Sequence, residues 1–142
     1  MNNNTEIAKK ILTENGYTCV LYLDGEEYHS TLRGVKPLIN LLESENNFVG
    51  FSAADKTVGA GAAHLYTLLG VTEVWANVIS EDGKRILEKN NISVYCGEIV
   101  PYIINRRGDG ICPIENAVSG IVCSEKALEA IKQTLKNLEK QD

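Results

Sequence analysis

Two stretches of the chain gather side chains that can move protons, hold anions or attack carbon. The first is Phe51-Ser52-Ala53-Ala54-Asp55-Lys56-Thr57-Val58-Gly59. The reading here puts Asp55 where a strand gives way to a helix, so its carboxylate can cap the helix and also face a crevice. Lys56 brings a positive charge to a helix start, where the dipole disfavours it unless an anion sits nearby. Ser52 adds a hydroxyl upstream, and Gly59 lets a ligand come close to the backbone. The second stretch is Asn105-Arg106-Arg107-Gly108-Asp109-Gly110-Ile111-Cys112-Pro113-Ile114-Glu115. Cys112-Pro113 reads as the N-cap and first residue of a short helix, with Glu115 placed to hydrogen-bond back to that cap. A thiol at a helix start near arginine favours the thiolate, which is the nucleophilic form. Arg106 or Arg107 is instead suited to hold a carboxylate or phosphate in bidentate fashion, with Asn105 beside them as a further ligand-binding candidate. The plainer alternative makes Asp55 only a cap, Lys56 a solvated side chain, and the second stretch a surface loop with one half-buried cysteine.

Other candidates are weaker. Gly59-Ala60-Gly61-Ala62-Ala63-His64 has His64 where a dinucleotide-binding loop needs its third glycine, and its glycines come several residues after the strand. Glycine inside a helix costs about 0.8–1 kcal/mol relative to alanine, so Gly61 implies a close neighbour, most simply dense packing against the sheet. The four cysteines form no C-x-x-C pair, and neither His29 nor His64 lies at zinc-ligand spacing from another ligand. No metal ligand and no cofactor is assigned. Arg107-Gly108-Asp109 is read as coincidence.

The elements that would position these groups follow from periodicity. A first helix carries Ile7, Ala8, Ile11 and Leu12, with Thr5 as its cap and Asn15-Gly16 as its stop. Tyr17 to Leu23 and Glu26 to Leu32 form a hairpin across Asp24-Gly25. A helix over Val35 to Glu45 and a buried strand over Phe48 to Ala54 come next. Thr57 to Leu69 is a helix rich in small residues, and Val71 to Ile79 a strand. Ser80 to Asn90 is a helix capped by its serine, with acids early and Lys/Arg late. A short strand over Ile92 to Cys96 leads into an irregular segment, Gly97 to Val122. Ser124 to Gln141 closes the chain as an amphipathic helix. Strands alternating with helices after a hairpin imply one α/β domain: parallel strands joined by crossovers, with an antiparallel pair at the edge.

Composition restricts the partners. In 142 residues, 14 basic and 19 acidic side chains leave a net charge of −5, and 44% of residues are hydrophobic. This is an ordinary globular profile, and the length suits one domain spanning residues 1–142. A net negative chain without a long basic run lacks the phosphate contacts on which nucleic-acid binding depends. No apolar stretch reaches the roughly 20 residues of a membrane span, and the Asn-rich start lacks a signal pattern. The expected setting is cytoplasmic, with no nucleic-acid or membrane partner.

Taken together, Asp55-Lys56-x-x-Gly59, Val100-Pro101, Asn105-Arg106-x-Gly-x-Gly110 and Cys112-Pro113-x-Glu115 resemble a small family of prokaryotic proteins of unknown function. The resemblance runs from about Tyr17 to Ala127. It implies a three-layer cytidine-deaminase-like fold, with a mixed five-stranded sheet, an antiparallel hairpin and helices on both faces. Zinc deaminases carry a His/Cys-x-Glu motif at the helix after the hairpin and Pro-Cys-x-x-Cys at the next helix. Here those places read Gly34-Val35-Lys36-Pro37 and Ala54-Asp55-Lys56-Thr57-Val58, so hydrolytic deamination by the zinc route is not expected. By resemblance, Asp55-Lys56 would stand at the metal-binding helix start.

Three readings of function follow. One is a metal-independent enzyme acting on a small polar or anionic ligand, with Lys56 and Arg106 holding the anion. In that reading Asp55 and Glu115 move protons, and Cys112 serves as a nucleophile or redox thiol. A second is a non-catalytic binding or sensing module for a nucleotide-like or anionic small molecule. The third is a subunit that self-associates through the small-residue helix or the last helix.

Overall fold

The computed structural model describes residues 1–140. The elements are α1 (Asn3–Asn15), β1 (Cys19–Leu23), β2 (Glu26–Ser30), α2 (Lys36–Glu43), β3 (Ser52–Val58), α3 (Ala60–Leu69), β4 (Glu73–Ser80), α4 (Glu81–Lys89), β5 (Ser93–Val100), α5 (Pro113–Val118) and α6 (Ser124–Lys140). The five strands form one mixed sheet in the order β2-β1-β3-β4-β5. β1 runs antiparallel to both β2 and β3, whereas β3, β4 and β5 are parallel. The hairpin turn falls at Asp24-Gly25, both with positive φ (45° and 101°), as its two-residue turn requires.

The central strands β1, β3 and β4 are covered on both faces, whereas the edge strands β2 and β5 stay largely exposed, and the apolar residues sort accordingly. On one face, Ala8 and Leu12 of α1 pack on Val20, Ala54 and Trp75. On the other, Cys19, Leu21, Ala53 and Val74 meet α2 to α6. Placing α3 and α4 on the same face is what successive crossovers in one direction require. The small-residue helix α3 lies at the centre of this layer. Eight of its ten residues are buried, including both polar ones in its middle, His64 and Tyr66. His64 Nε2 lies 3.2 Å from the Ile121 carbonyl and Nδ1 2.9 Å from Ser124 Oγ. A carbonyl only accepts, so Nε2 donates and Nδ1 receives the serine proton, tying α3 to the start of α6. Burial lowers the His64 pKa; the Ile121 carbonyl opposes this, and the Arg85 charge adds to it.

Several boundaries depart from the sequence expectations. Asn2, rather than Thr5, caps α1: its Oδ1 accepts from Thr5 N at 2.8 Å and from Thr5 Oγ1 at 2.9 Å. The strand expected over Phe48 to Ala54 is displaced to Ser52–Val58, and α3 starts at Ala60 rather than Thr57. Asp55 and Lys56 are therefore strand residues, not the opening of a helix. The ladders of the three parallel strands skip Lys56, Asn77 and Gly97 in a row. Beyond this interruption Val58 and Ile79 join the main core although they are out of phase with Ala53 and Val74. A break in the two-residue period is what obscures the strand in sequence. β5 runs on to Val100 instead of ending at Cys96. Ser80 caps α4 as expected, accepting from Gly83 N at 3.0 Å. The last residues of the expected final helix, from Gln141 on, lie outside the described residues. Among the described residues no helix is long and apolar enough to cross a membrane.

Candidate functional site

A cleft of about 180 Å³ opens beyond the carboxyl ends of the parallel strands, where Ser80 ends β4 and Pro101 follows β5. In sheets of this kind the crevice at the strand ends is the usual ligand position. One wall is a face of α4, with Asp82, Arg85 and Lys89 spaced one helical turn apart and Asn90 following as the C-cap. Arg85 is held by Asp82 at 2.9 Å, while Lys89 has no carboxylate partner among the described residues. The facing wall comes from the segment after β5 and from α5, and it includes Tyr102, Ile111, Asn116 and Val122.

The floor of the cleft is the start of α3, which shows how the two stretches meet. Gly59 caps α3 without a side chain to do so. The missing acceptor comes from 55 positions further along the chain: Glu115 Oε1 accepts from Ala60 N at 2.6 Å. Its other oxygen, Oε2, accepts from Gly61 N at 2.9 Å. A carboxylate here meets the positive end of the helix dipole and two otherwise orphaned donors. A Cβ on Gly59 would collide with that carboxylate, and one on Gly61 would come within 2.7 Å of Ile114 Cγ2. The glycines in α3 are thus explained by the approach of α5 rather than by the sheet. Cys112 does cap α5, ahead of Pro113, but its side chain makes no capping bond and Glu115 does not fold back to it. Half-buried Cys112 instead packs against the main core.

Asp55 sits elsewhere, beneath α3. It is 9% exposed; Tyr66 Oη donates to its Oδ2 at 2.5 Å and Thr57 N donates to its Oδ1 at 3.1 Å. Its neighbour across the sheet is Cys19. Burial raises the Asp55 carboxyl to about 7, against the opposing pull of the Tyr66, Thr57 and Lys56 donors. Burial, then the Asp55 charge, pushes the Cys19 thiol and the Tyr66 phenol upward as well. Cys19 also lines a smaller recess of about 140 Å³ with His29, Asn40 and Pro37. Among the described residues no group of three His, Cys, Asp or Glu side chains is arranged to hold a metal ion.

Residues 7–135 match the family model described as TM1506, domain of unknown function (DUF1893). The chain belongs to the DUF1893 family. The crystal structure of a DUF1893 family protein (TM1506) from Thermotoga maritima is similar over 96% of this chain and 91% of that one, with a TM-score of 0.83 and 25% identity. None of the curated proteins compared with it matches.

Within this DUF1893 fold the residues singled out in sequence fall into separate places. Gly59 and Glu115 are in contact at the cleft floor. Ser52 is at the amino end of β3, where its hydroxyl lies 3.2 Å from Asn2 Oδ1 at the start of α1. Ser52 is the first of the seven residues of β3, so about 20 Å of strand lies between it and the cleft end. Lys56 is exposed on β3, and Arg106 is exposed at the tip of the segment after β5; neither lines the cleft. Asn105 shapes that tip: its Oδ1 accepts from Gly108 N at 2.9 Å and its Nδ2 donates to Asp109 at 2.9 Å. Sequence reasoning passed over Arg85, Lys89, Tyr102 and Asn116. The signal for the first two is their spacing of four on a helix, a pattern shared with any basic helix end that complements the dipole.

Proposed function

We propose that the protein is a binding module whose cleft takes a small anionic molecule against Arg85 and Lys89, with Ala60 and Glu115 forming a fixed floor. The observation that carries this reading is the position of Lys89, a cation without a carboxylate partner among the described residues, on the wall of a cleft at the carboxyl ends of parallel strands. The cleft lining offers anchoring groups rather than a nucleophile beside a base. Ser80 Oγ is engaged as a helix cap, and both Glu115 oxygens are engaged by backbone N–H groups. We further propose descent from a cytidine-deaminase-like fold that has lost its zinc motifs. Supporting this are the helix–hairpin–helix start and the 2-1-3-4-5 strand order.

Thermal unfolding with inorganic phosphate tests the binding reading. A site occupied at 100 times its Kd adds about 2.7 kcal/mol to stability. Saturable stabilisation by phosphate, lost in Lys89→Ala and Arg85→Ala, is the expected result. Stabilisation that survives both substitutions would remove the cleft from consideration.

A second reading, a metal-independent enzyme, is favoured by one observation: a buried carboxyl raised to about 7, Asp55, next to a thiol that lines a recess. In that reading the proton-moving group is Asp55 and the ligand enters beside Cys19. Turnover of a small metabolite, abolished by Asp55→Asn with folding intact, would establish it. Retained turnover in that variant would exclude it.

A further inference from the structure

The two walls of the cleft differ in chemistry, and the difference narrows the ligand. The α4 wall is polar and charged, through Asp82, Arg85, Lys89 and Asn90. Asp82 is taken up by Arg85, which leaves Lys89 as the charge without a carboxylate partner among the described residues. Across from it, Pro101, Tyr102, Ile111 and Val122 present apolar surface in an arc that closes with the Ile104–Ile111 bridge. Three of these are large side chains left open to solvent: Tyr102 is 52% exposed, Ile111 41% and Val122 71%. Isolated exposed apolar residues need no explanation, but three lining one concave wall opposite unpaired positive charge do. A bare anion would satisfy Lys89 and leave that wall in water. A purely apolar molecule would cover the wall and bury Lys89 without a partner, which is costly.

We infer that the ligand is a planar aromatic ring bearing an acidic group, the ring lying against Tyr102 and the acid meeting Lys89 and Arg85. This deepens the binding reading proposed above and rests on it. A flat ring is favoured over an aliphatic chain because, among the described residues, Tyr102 is the one aromatic side chain lining this wall and is 52% exposed, and an aromatic pair is worth more than the buried area alone. Asn116 and Ser119, at the edge of the same wall, are placed for polar substituents of that ring.

Three probes that share one anionic group decide the matter: inorganic phosphate, butyl phosphate and phenyl phosphate, titrated calorimetrically into the full chain. Phenyl phosphate is expected to bind about tenfold more tightly than inorganic phosphate, with butyl phosphate between them. The advantage of the phenyl ester should vanish in Tyr102→Ala and persist in Tyr102→Phe, while the affinity for inorganic phosphate stays unchanged in both. Tyr102 is exposed, so neither variant threatens the fold. Equal affinities for phenyl and butyl phosphate, or an advantage that survives Tyr102→Ala, would overturn the aromatic inference and leave the anion site standing. Failure of all three probes to bind would overturn both.

Discussion

Two carboxylates serve the same helix in opposite ways. Glu115 reaches the start of α3 from outside the helix and accepts two backbone N–H bonds at the positive end of the dipole. Asp55 lies beneath the same helix, where one phenol and one amide are its donors and burial raises its carboxyl to about 7. A carboxyl group is cheap where the backbone supplies unpaired donors and costly where it displaces apolar packing. The first arrangement builds a floor for a cleft; the second stores a protonation equilibrium inside the core.

The contrast can be broken experimentally, and the largest effect concerns pH. Asp55 titrates near 7 when folded and near its ordinary value of 3.8 when unfolded, so between these values the folded state binds the extra proton. Stability must then fall as pH rises from about 4 to about 7, by a few kcal/mol, and stay lowered above that window. Urea unfolding at a series of pH values should show this slope in the native protein and a flatter one in Asp55→Asn. An identical slope in both would mean that burial does not raise the Asp55 carboxyl.

Next comes Gly59→Ala, which drives the Glu115 carboxylate off the helix start and should cost about 2 kcal/mol. Glu115→Ala alone should cost about 1–2 kcal/mol through the loss of a cap and a dipole partner. In that background Gly59→Ala should be nearly neutral, because the collision is gone. Additivity of the two substitutions would deny their contact.

Tyr66→Phe sharpens the other side of the comparison. Removing the phenol that donates to Asp55 should destabilise by about 1 kcal/mol and move the Asp55 titration, followed by NMR, further upward. The smallest effect is expected for Ser124→Ala, which takes the donor from His64 Nδ1 and should cost about 0.5–1.5 kcal/mol in chemical denaturation.

Much of the architecture could be read from the chain because local signals agreed with it. Asp24-Gly25 between two strand-like runs marks its hairpin, Ser80 with acids after it marks the start of α4, and Cys112-Pro113 opens α5. β3 resisted because Lys56 and Thr57, two exposed residues in succession, sit where the ladders of three strands skip a step. That break made the strand end early on paper and moved Asp55 to a helix start it does not occupy. The meeting of Gly59 with Glu115 was foreshadowed only by glycines that needed a close neighbour. The cationic wall could not be found from type and spacing, since Arg85 and Lys89 look like any basic end of an amphipathic helix. Only the return of the chain through Tyr102 and α5 turns that helix face into one side of a cleft.

Where an anion settles on this molecule is best measured by amide chemical shifts during a titration with inorganic phosphate. Saturable shifts should cluster at Ala60, Arg85, Lys89 and Asn116 and leave Lys56 and Arg106 unmoved. Shifts concentrated at Lys56 and Arg106, with the α4 wall silent, would contradict the account.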